Sequence, residues 1–211
     1  MTSAYGRKET AERGDPVDTL IETILSQNTS DINSHRAFKS LKGRYGSWSE
    51  LIGNSPDEIA DVIRSGGLAE VKAKRILGVL NLLDAERGKM DLEFLSDMPV
   101  KEAERWLTSI EGIGPKTAAI VLLFSFGMPT FPVDTHIFRV SRRLGLIAAS
   151  VSREKAQKEL GSLIPPHEYH NMHLNMIEHG RRLCRSRNPL CEECPISEYC
   201  LQSVKRSEPQ S

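Results

Sequence analysis

Four cysteines carry the clearest chemical signal in the sequence. They are the only cysteines of the chain and follow the spacing C-x6-C-x2-C-x5-C: Cys184, Cys191, Cys194 and Cys200. A structural zinc site usually takes two close cysteine pairs joined by a longer arm, whereas only Cys191 and Cys194 form such a pair. Four thiolates spread over this length can wrap a larger cuboidal cluster, with one iron for each. The spacing therefore favours an iron–sulfur cluster, and zinc stays open as the alternative.

A turn with two glycines, Gly112 and Gly114, is a second candidate site. It follows a helical pattern over 100–107 and precedes Pro115, which suits the first position of a helix. Backbone without side chains lets another molecule approach closely, and N–H groups just before a helix bind anions. A DNA phosphate fits such a seat, and binding it needs no contact with a base. The alternative is an ordinary corner between two helices, in which Ile110 and Ile113 fill the core.

Lys116 and Asp134 are the candidates for catalysis. Lys116 falls in the first turn of the helix that Pro115 begins, where the positive end of the helix dipole favours a neutral amine. A neutral amine can attack C1′ of a sugar and form an imine. Asp134 stands just before another helical pattern. Each has a structural alternative, since Lys116 fits an exposed helix start and Asp134 fits a helix cap.

Composition narrows the class of protein without naming a ligand. The 211 residues include 28 basic and 28 acidic side chains, so net charge gives no indication of nucleic acid. Two local groups of arginine stand out: Arg139, Arg142 and Arg143, and Arg181, Arg182, Arg185 and Arg187. Taken alone, such groups are usually solvated helix faces. No apolar run is long enough to span a membrane, and residues 1–15 lack the core of a signal peptide. We therefore expect a cytosolic protein, which disfavours disulfides.

The apolar pattern predicts an all-α fold of about ten helices with short connections. One buried helix face is predicted from residues at helical spacing: Val17, Leu20, Ile21, Ile24 and Leu25. A longer face is predicted further along: Val71, Ile76, Val79, Leu80 and Leu83. Helix starts are expected at short polar residues that suit N-caps: Asp15, Asp31, Ser55, Asp134 and Ser152. Strand patterns are nearly absent.

Taken together, these segments resemble the endonuclease III family of helix-hairpin-helix DNA glycosylases. The motifs that carry the resemblance occur in the family's order: 25–31 with Gly67-Leu68, 107–123, 133–140, and the four-cysteine stretch. The resemblance covers about Asp15 to Cys200. It implies that the four cysteines hold a [4Fe–4S] cluster. It also implies two helical domains around a DNA-binding cleft, namely a helical barrel over 17–129 that contains the hairpin and a cluster domain of 1–16 and 130–211.

The resemblance also implies a mechanism. Lys116 matches the family's nucleophile, which attacks C1′ and releases the base, and Asp134 matches its carboxylate partner. The imine then permits β-elimination of the 3′ phosphate, so a bifunctional glycosylase and abasic-site lyase is implied. Gly112 and Gly114 match the hairpin that binds a DNA phosphate. Pro115 departs from the basic residue of most bacterial members, which removes one phosphate contact.

Further DNA contacts follow from the same resemblance. Gln27 is expected to contact DNA, and its neighbour Asn28 matches a residue that fills the gap left by a flipped nucleotide. Leu68 matches the residue that fills this gap from the opposite side. Asn28 is shorter than the Gln of the family. Arg185 and Arg187 lie on the loop between the first two cysteines and are expected to contact phosphates.

The expected partner is double-stranded DNA that contains a damaged base or an abasic site. We expect a monomer in the cytoplasm, associated with the nucleoid, and oxidised pyrimidines as the lesions. Two alternatives stay open. One is a related glycosylase for another mismatched or modified pyrimidine, because 27–29 and 131–134 resemble plant 5-methylcytosine glycosylases as much. The other is a non-catalytic DNA-binding module with a structural metal.

Overall fold

The chain folds into helices, which confirms the predicted all-α class. The computed structural model describes residues 1–8 and 13–202. Within them lie ten α-helices and no strand: α1 (Thr2–Tyr5), α2 (Pro16–Ser26), α3 (Asp31–Arg44), α4 (Pro56–Val62), α5 (Ala69–Arg87), α6 (Val100–Ser109), α7 (Pro115–Phe126), α8 (Thr135–Leu144), α9 (Arg153–Leu163) and α10 (Tyr169–Arg182). Short 3-10 helices cover Trp48–Leu51, Arg64–Gly66, Glu93–Asp97, Pro166–Glu168 and Ser197–Tyr199. Residues 9–12 and 203–211 of the predicted cluster domain lie outside the described residues.

Short polar side chains begin the helices, and four of the five predicted N-caps are found. Asp15, Ser55, Asp134 and Ser152 each accept a hydrogen bond from the backbone N–H three residues on. The prediction of Asp31 as a cap was wrong by one residue. Ser30 caps α3 and accepts from the Asn33 N–H, while Asp31 is the first helical residue. Serine and aspartate cap about equally well, so the adjacent pair could not be separated by type.

The chain divides into two compact units. The continuous unit is Arg13–Met128, and the split unit is Met1–Glu12 with Pro129–Ser211. In the continuous unit α2 packs against α3, α5 and α7, α4 packs against α5, and α6 packs against α7. The predicted face of α2 is fully buried in this unit's core. The packing around α2 thus gives α5 and α7 fixed places on one scaffold.

The register of α5 differs from the prediction at its first turn. Val71 is 45% exposed, whereas the next residue, Lys72, is only 1% exposed. Ile76 and Leu83 of the predicted face are buried. Lys72 precedes Ile76 by four residues and therefore shares its face, while Val71 precedes it by five and does not. The prediction was wrong because it preferred an apolar residue to the one in phase.

In the split unit, α1 and α8 pack against α10. The Tyr169 hydroxyl donates to the Gly161 carbonyl at 2.5 Å and ties the start of α10 to α9. Buried side chains from 131–176 form the core of this unit: Phe131, Val133, Ile137, Val140, Ile147, Ala156, Leu160, Tyr169 and Met176. Among the residues described, no helix is long and apolar enough to cross a membrane.

Candidate functional site

The two glycines of the hairpin between α6 and α7 have different roles. Ile110 and Ile113 are buried, and the Ile113 N–H donates to the Ile110 carbonyl at 3.0 Å, which closes the turn. Gly112 has a φ of 82°, and a Cβ there would lie 2.4 Å from Nε of Arg75. The fold therefore requires glycine at 112. Gly114 has a φ of −94° and is exposed, and a Cβ there would meet nothing within 4 Å. Its lack of a side chain leaves open space at the start of α7.

Lys116 is the second residue of α7 and follows that open space directly. Pro115 occupies the first helical position as predicted, and the first turn contains no acidic residue. The Lys116 side chain is half-buried. An amine at this place lies at the positive end of a twelve-residue helix, beside backbone that an anion can approach. The arrangement suits an amine nucleophile next to a phosphate seat.

Asp134 caps α8, so the structural role anticipated for it is observed. Its Oδ1 accepts from the Ile137 N–H at 2.7 Å. The residues before it, Phe131 to Val133, are buried, and Nδ1 of His173 lies 3.0 Å from the Pro132 carbonyl. The cap uses one of the two carboxylate oxygens. A fixed carboxylate with a second oxygen is compatible with a further, chemical role.

The two residues expected to fill a gap in the duplex lie at strained turns. Asn28 has a φ of 54° and Leu68 a φ of 50°, and Asn188, on the loop between Cys184 and Cys191, has 48°. No other non-glycine residue in the described ranges has a positive φ. Left-handed backbone is unfavourable for residues other than glycine by about 1–3 kcal/mol, less for Asn than for Leu, and strain of this kind clusters at functional sites. Leu68 is also 57% exposed, so its apolar side chain is accessible at the surface.

The side-chain amide of Gln27 forms hydrogen bonds within the protein through both its oxygen and its nitrogen. Its Oε1 accepts from Nη1 of Arg75 at 2.5 Å, and its Nε2 donates to the Gly112 carbonyl at 3.4 Å. Arg75 also packs against Gly112. Gln27 was predicted as a DNA contact, and the structure places its side chain between α5 and the hairpin. Arg75 was not predicted at all.

The four cysteines line one cavity of the split unit. Its apolar walls come from six side chains: Val140, Leu144, Leu183, Pro189, Leu190 and Ile196. No disulfide joins the cysteines, all of which the structure describes. Burial raises the pKa of the Cys194 thiol, and the other three cysteines raise it further. Sulfur atoms this crowded repel one another as thiolates, and bound iron would offset that repulsion. The donor set and its apolar setting therefore fit an iron–sulfur cluster.

No closer metal site is present in the described part of the chain. No three His, Cys, Asp or Glu side chains there form a group that could hold a single ion. A cuboidal cluster is several ångströms across, so its four thiolates do not share one ion.

Two arginines hold the loop between Cys184 and Cys191. Arg143 donates to the carbonyls of Arg185, at 2.6 Å, and Ser186, at 3.2 Å, and to Sγ of Cys184 at 3.3 Å. Arg139 donates to the Cys184 carbonyl at 2.9 Å, and burial lowers its pKa. These two arginines therefore bind the loop, and a solvated helix face, the usual alternative for such groups taken alone, does not describe them. Arg185 itself is exposed, as is the Arg187 of the same loop.

Comparison with known proteins decides the family. Residues 21–166 match the family described as HhH-GPD superfamily base excision DNA repair protein. The chain belongs to this superfamily. Residues 184–200 match the iron-sulfur binding domain of endonuclease III. The predicted cofactor, a [4Fe–4S] cluster, is thereby confirmed, and the chain is a DNA glycosylase of base excision repair.

Relatives of known name support this placement along most of the chain. The chain is 36% identical over 186 residues to Endonuclease III of Thermotoga maritima, covering 88% of the chain and 83% of the relative. Identity to Endonuclease III of Sulfolobus acidocaldarius is also 36%, over 89% of the chain and 83% of that protein. A putative DNA glycosylase of Arabidopsis thaliana is 36% identical, and the match spans 58% of its length. The predicted membership of the endonuclease III family is confirmed.

Solved structures agree. A non-covalent Endonuclease III–DNA complex matches with a TM-score of 0.83 and 29% identity, covering 97% of this chain and 92% of that one. A trapped covalent Endonuclease III–DNA intermediate matches with a TM-score of 0.82 and the same identity, covering 98% of this chain and 93% of that one. DNA is therefore a partner of this chain.

Proposed function

We propose that this protein excises damaged pyrimidines, oxidised ones above all, from double-stranded DNA and then cleaves the abasic site by β-elimination. The observation that carries the proposal is the place of Lys116, an amine in the first turn of α7 directly after the open backbone of Gly114. A non-catalytic DNA-binding protein needs no amine there. The covalent intermediate trapped with a related Endonuclease III supports a bond between enzyme and DNA.

Lys116 and Asp134 perform the chemistry in this proposal. The Lys116 amine forms a bond to C1′ of the sugar, and the base leaves with the electron pair of its glycosidic bond. The Asp134 carboxylate stabilises positive charge at C1′ and takes the proton that the amine loses. The bond between C1′ and the ring oxygen O4′ then breaks, which opens the sugar and leaves an imine between Lys116 and C1′. Loss of a proton from C2′ of this imine breaks the bond between C3′ and its oxygen, and the 3′ phosphate leaves. The backbone at Gly112 and Gly114 binds a phosphate and keeps the strand in place.

The remaining sites bind and shape the DNA. Asn28 and Leu68 fill the gap that the flipped nucleotide leaves, and Arg185 and Arg187 contact phosphates. Cys184, Cys191, Cys194 and Cys200 hold the [4Fe–4S] cluster, which supplies structural stability to the loop that carries the two arginines.

We assign 17–129 to a helical-barrel domain and 1–16 with 130–211 to a cluster domain. The division into the continuous and split units supports this assignment. The protein acts as a monomer at the nucleoid.

Borohydride trapping tests the proposed nucleophile. Borohydride reduces an imine to a stable amine, so the wild-type protein should crosslink to a duplex that contains an abasic site. Lys116→Gln retains a polar side chain but has no nucleophilic amine, so both crosslinking and strand nicking should vanish. Lys74→Gln is the matched control, because Lys74 is exposed on α5 of the same unit, and it should crosslink like the wild type. A Lys116→Gln protein that still crosslinks would show that another amine is the nucleophile.

A panel of duplexes tests the proposed substrate. Each duplex contains one of thymine glycol, dihydrouracil, uracil, a G·T mismatch or 5-methylcytosine, and single-turnover base release is measured for each. We expect thymine glycol and dihydrouracil to be released fastest. Faster release of 5-methylcytosine or of mismatched thymine would show that this base, and not an oxidised pyrimidine, is the preferred substrate.

A further inference from the structure

Lys72 is the most deeply buried charged side chain among the described residues, and its ammonium group has defined hydrogen-bond partners. It is 1% exposed, and its Nζ donates to two backbone carbonyls, Leu25 and Gly66, each at 2.7 Å. Burial lowers its pKa, and the charge of Arg75 lowers it further. A buried ammonium is costly unless its donors are satisfied, so these two bonds are the reason that Lys72 is tolerated in the core.

Both carbonyls lie at the ends of helices. Leu25 is in the last turn of α2, which ends at Ser26, and Gly66 ends the short helix Arg64–Gly66. Carbonyls in the last turn of a helix have no partner within that helix. At the end of α2, which has eleven residues, a cation is also stabilised by the negative end of the helix dipole. Lys72 therefore joins the ends of two helices that are far apart in the sequence.

Each joined segment leads directly into a strained residue. Two residues after Leu25 comes Gln27, followed by Asn28 at a φ of 54°. Two residues after Gly66 comes Leu68 at a φ of 50°, and the Lys72 backbone N–H donates to the Leu68 carbonyl at 3.0 Å. Lys72 thus holds the Leu68 turn from both sides, through its backbone and through its side chain.

We infer that Lys72 is a positioning residue that sets the Asn28 turn and the Leu68 turn in register, so that both enter the duplex together. The inference rests on the proposed role of Asn28 and Leu68 in filling the gap. It goes beyond that role because it gives the two turns a shared support, and it predicts that they lose function together.

A double-mutant cycle tests the inference with a probe that needs no known lesion. The duplex contains a tetrahydrofuran abasic analogue, which has no hydroxyl at C1′ and forms no imine. A 2-aminopurine lies opposite, and its fluorescence rises when it is unstacked. Lys72→Met keeps most of the side-chain volume and removes the donors, Leu68→Ala removes the inserted side chain, and Lys74→Met is the control on the exposed face of α5.

We expect Leu68→Ala to lower the fluorescence change at saturating protein by about tenfold, because the inserted side chain is lost. Lys72→Met should lower it as much, since loss of charge-assisted bonds to buried carbonyls shifts an equilibrium by about tenfold or more. The double variant should fall no further than either single variant, because both changes remove one event. Affinity for an undamaged duplex should stay within about twofold for all variants, since the hairpin is untouched. Lys74→Met should match the wild type.

Each other outcome overturns the inference at a distinct point. Wild-type fluorescence in Leu68→Ala would remove the gap-filling role and the Lys72 inference with it. A reduced fluorescence change in Leu68→Ala together with a wild-type change in Lys72→Met would overturn the Lys72 inference alone. Additive losses in the double variant would overturn it as well. If Lys72→Met does not fold, Lys72→Gln, which retains a donor, takes its place in the cycle. Failure of both to fold would show that Lys72 only supports the core.

Discussion

The carboxylate of Asp134 is held by the helix that it begins. The bond from the Ile137 N–H to Oδ1, at 2.7 Å, fixes the side-chain rotamer and places the carboxylate at the start of α8. A helix cap of this kind contributes about 1 kcal/mol to stability. The same bond that caps the helix therefore orients the group that we propose as a catalytic carboxylate. Stability and catalysis should separate when the charge is removed and the cap is kept.

Asp134→Asn makes that separation. An amide oxygen still accepts from the Ile137 N–H, so urea unfolding should change by less than about 1 kcal/mol. Single-turnover base release should fall by about a hundredfold or more, because an amide can neither accept the proton of the amine nor neutralise charge at C1′. Asp15→Asn, at the cap of α2, is the matched control and should leave base release unchanged. A wild-type rate of base release in Asp134→Asn would show that Asp134 serves only as a helix cap.

At the scale of elements, the hairpin between α6 and α7 shows two glycines with different reasons to be glycine. Gly112 is required by its φ of 82° and by the Arg75 side chain against it. Gly114 has an ordinary backbone conformation and open space around it, so the folded chain alone would accept a side chain there. Glycine is a favoured N-cap residue, and we propose that room for an approaching phosphate is a second reason for its small size.

Gly114→Ala should therefore weaken DNA binding more than it affects folding. We expect a loss of about three- to tenfold in affinity for damaged and undamaged duplexes alike, because the contact that we propose for the hairpin is to phosphate and not to a base. Stability should fall by less than about 1 kcal/mol, the difference between glycine and alanine at an N-cap. Gly78→Ala, at an exposed place within α5, should instead stabilise the protein by about 1 kcal/mol and leave DNA binding unchanged. A change of lesion preference at constant affinity in Gly114→Ala would place the phosphate elsewhere.

The helices could be predicted from the sequence because their signals are local. Proline and short polar residues mark the starts, and apolar spacing marks the buried face of α2. The sequence could not predict the hydrogen-bonding roles of four basic residues: Lys72, Arg75, Arg139 and Arg143. Three of these four side chains bond to backbone carbonyls, which every residue has, so no residue type identifies the partner. The one available signal was the phase of Lys72 with Ile76 and Leu83 on a buried face.

At the scale of the whole molecule, the two units depend on different sources of stability. The continuous unit has one large core of buried apolar side chains over 17–122. In the split unit, residues 183–202 have little regular structure, and Cys184, Cys191, Cys194 and Cys200 of this stretch surround one cavity. Binding of a metal cluster contributes directly to the folding free energy of such a segment. Loss of the cluster should therefore affect the split unit first.

Cys194→Ser tests this division of stability. The wild-type protein should be yellow-brown, with broad absorbance at about 410 nm from iron bound by four thiolates, and the variant should lose this absorbance together with its iron. The melting temperature of the split unit should fall by at least about 10 °C. Helices α2 to α7 should still unfold at the wild-type temperature, as followed by circular dichroism and calorimetry. Ser186→Ala, on the same loop but not a ligand, should keep both iron and melting temperature. Stoichiometric zinc without iron in the wild-type protein would contradict the cluster itself. Equal loss of helix in both units of Cys194→Ser would show that the cluster stabilises the continuous unit as much as the split one.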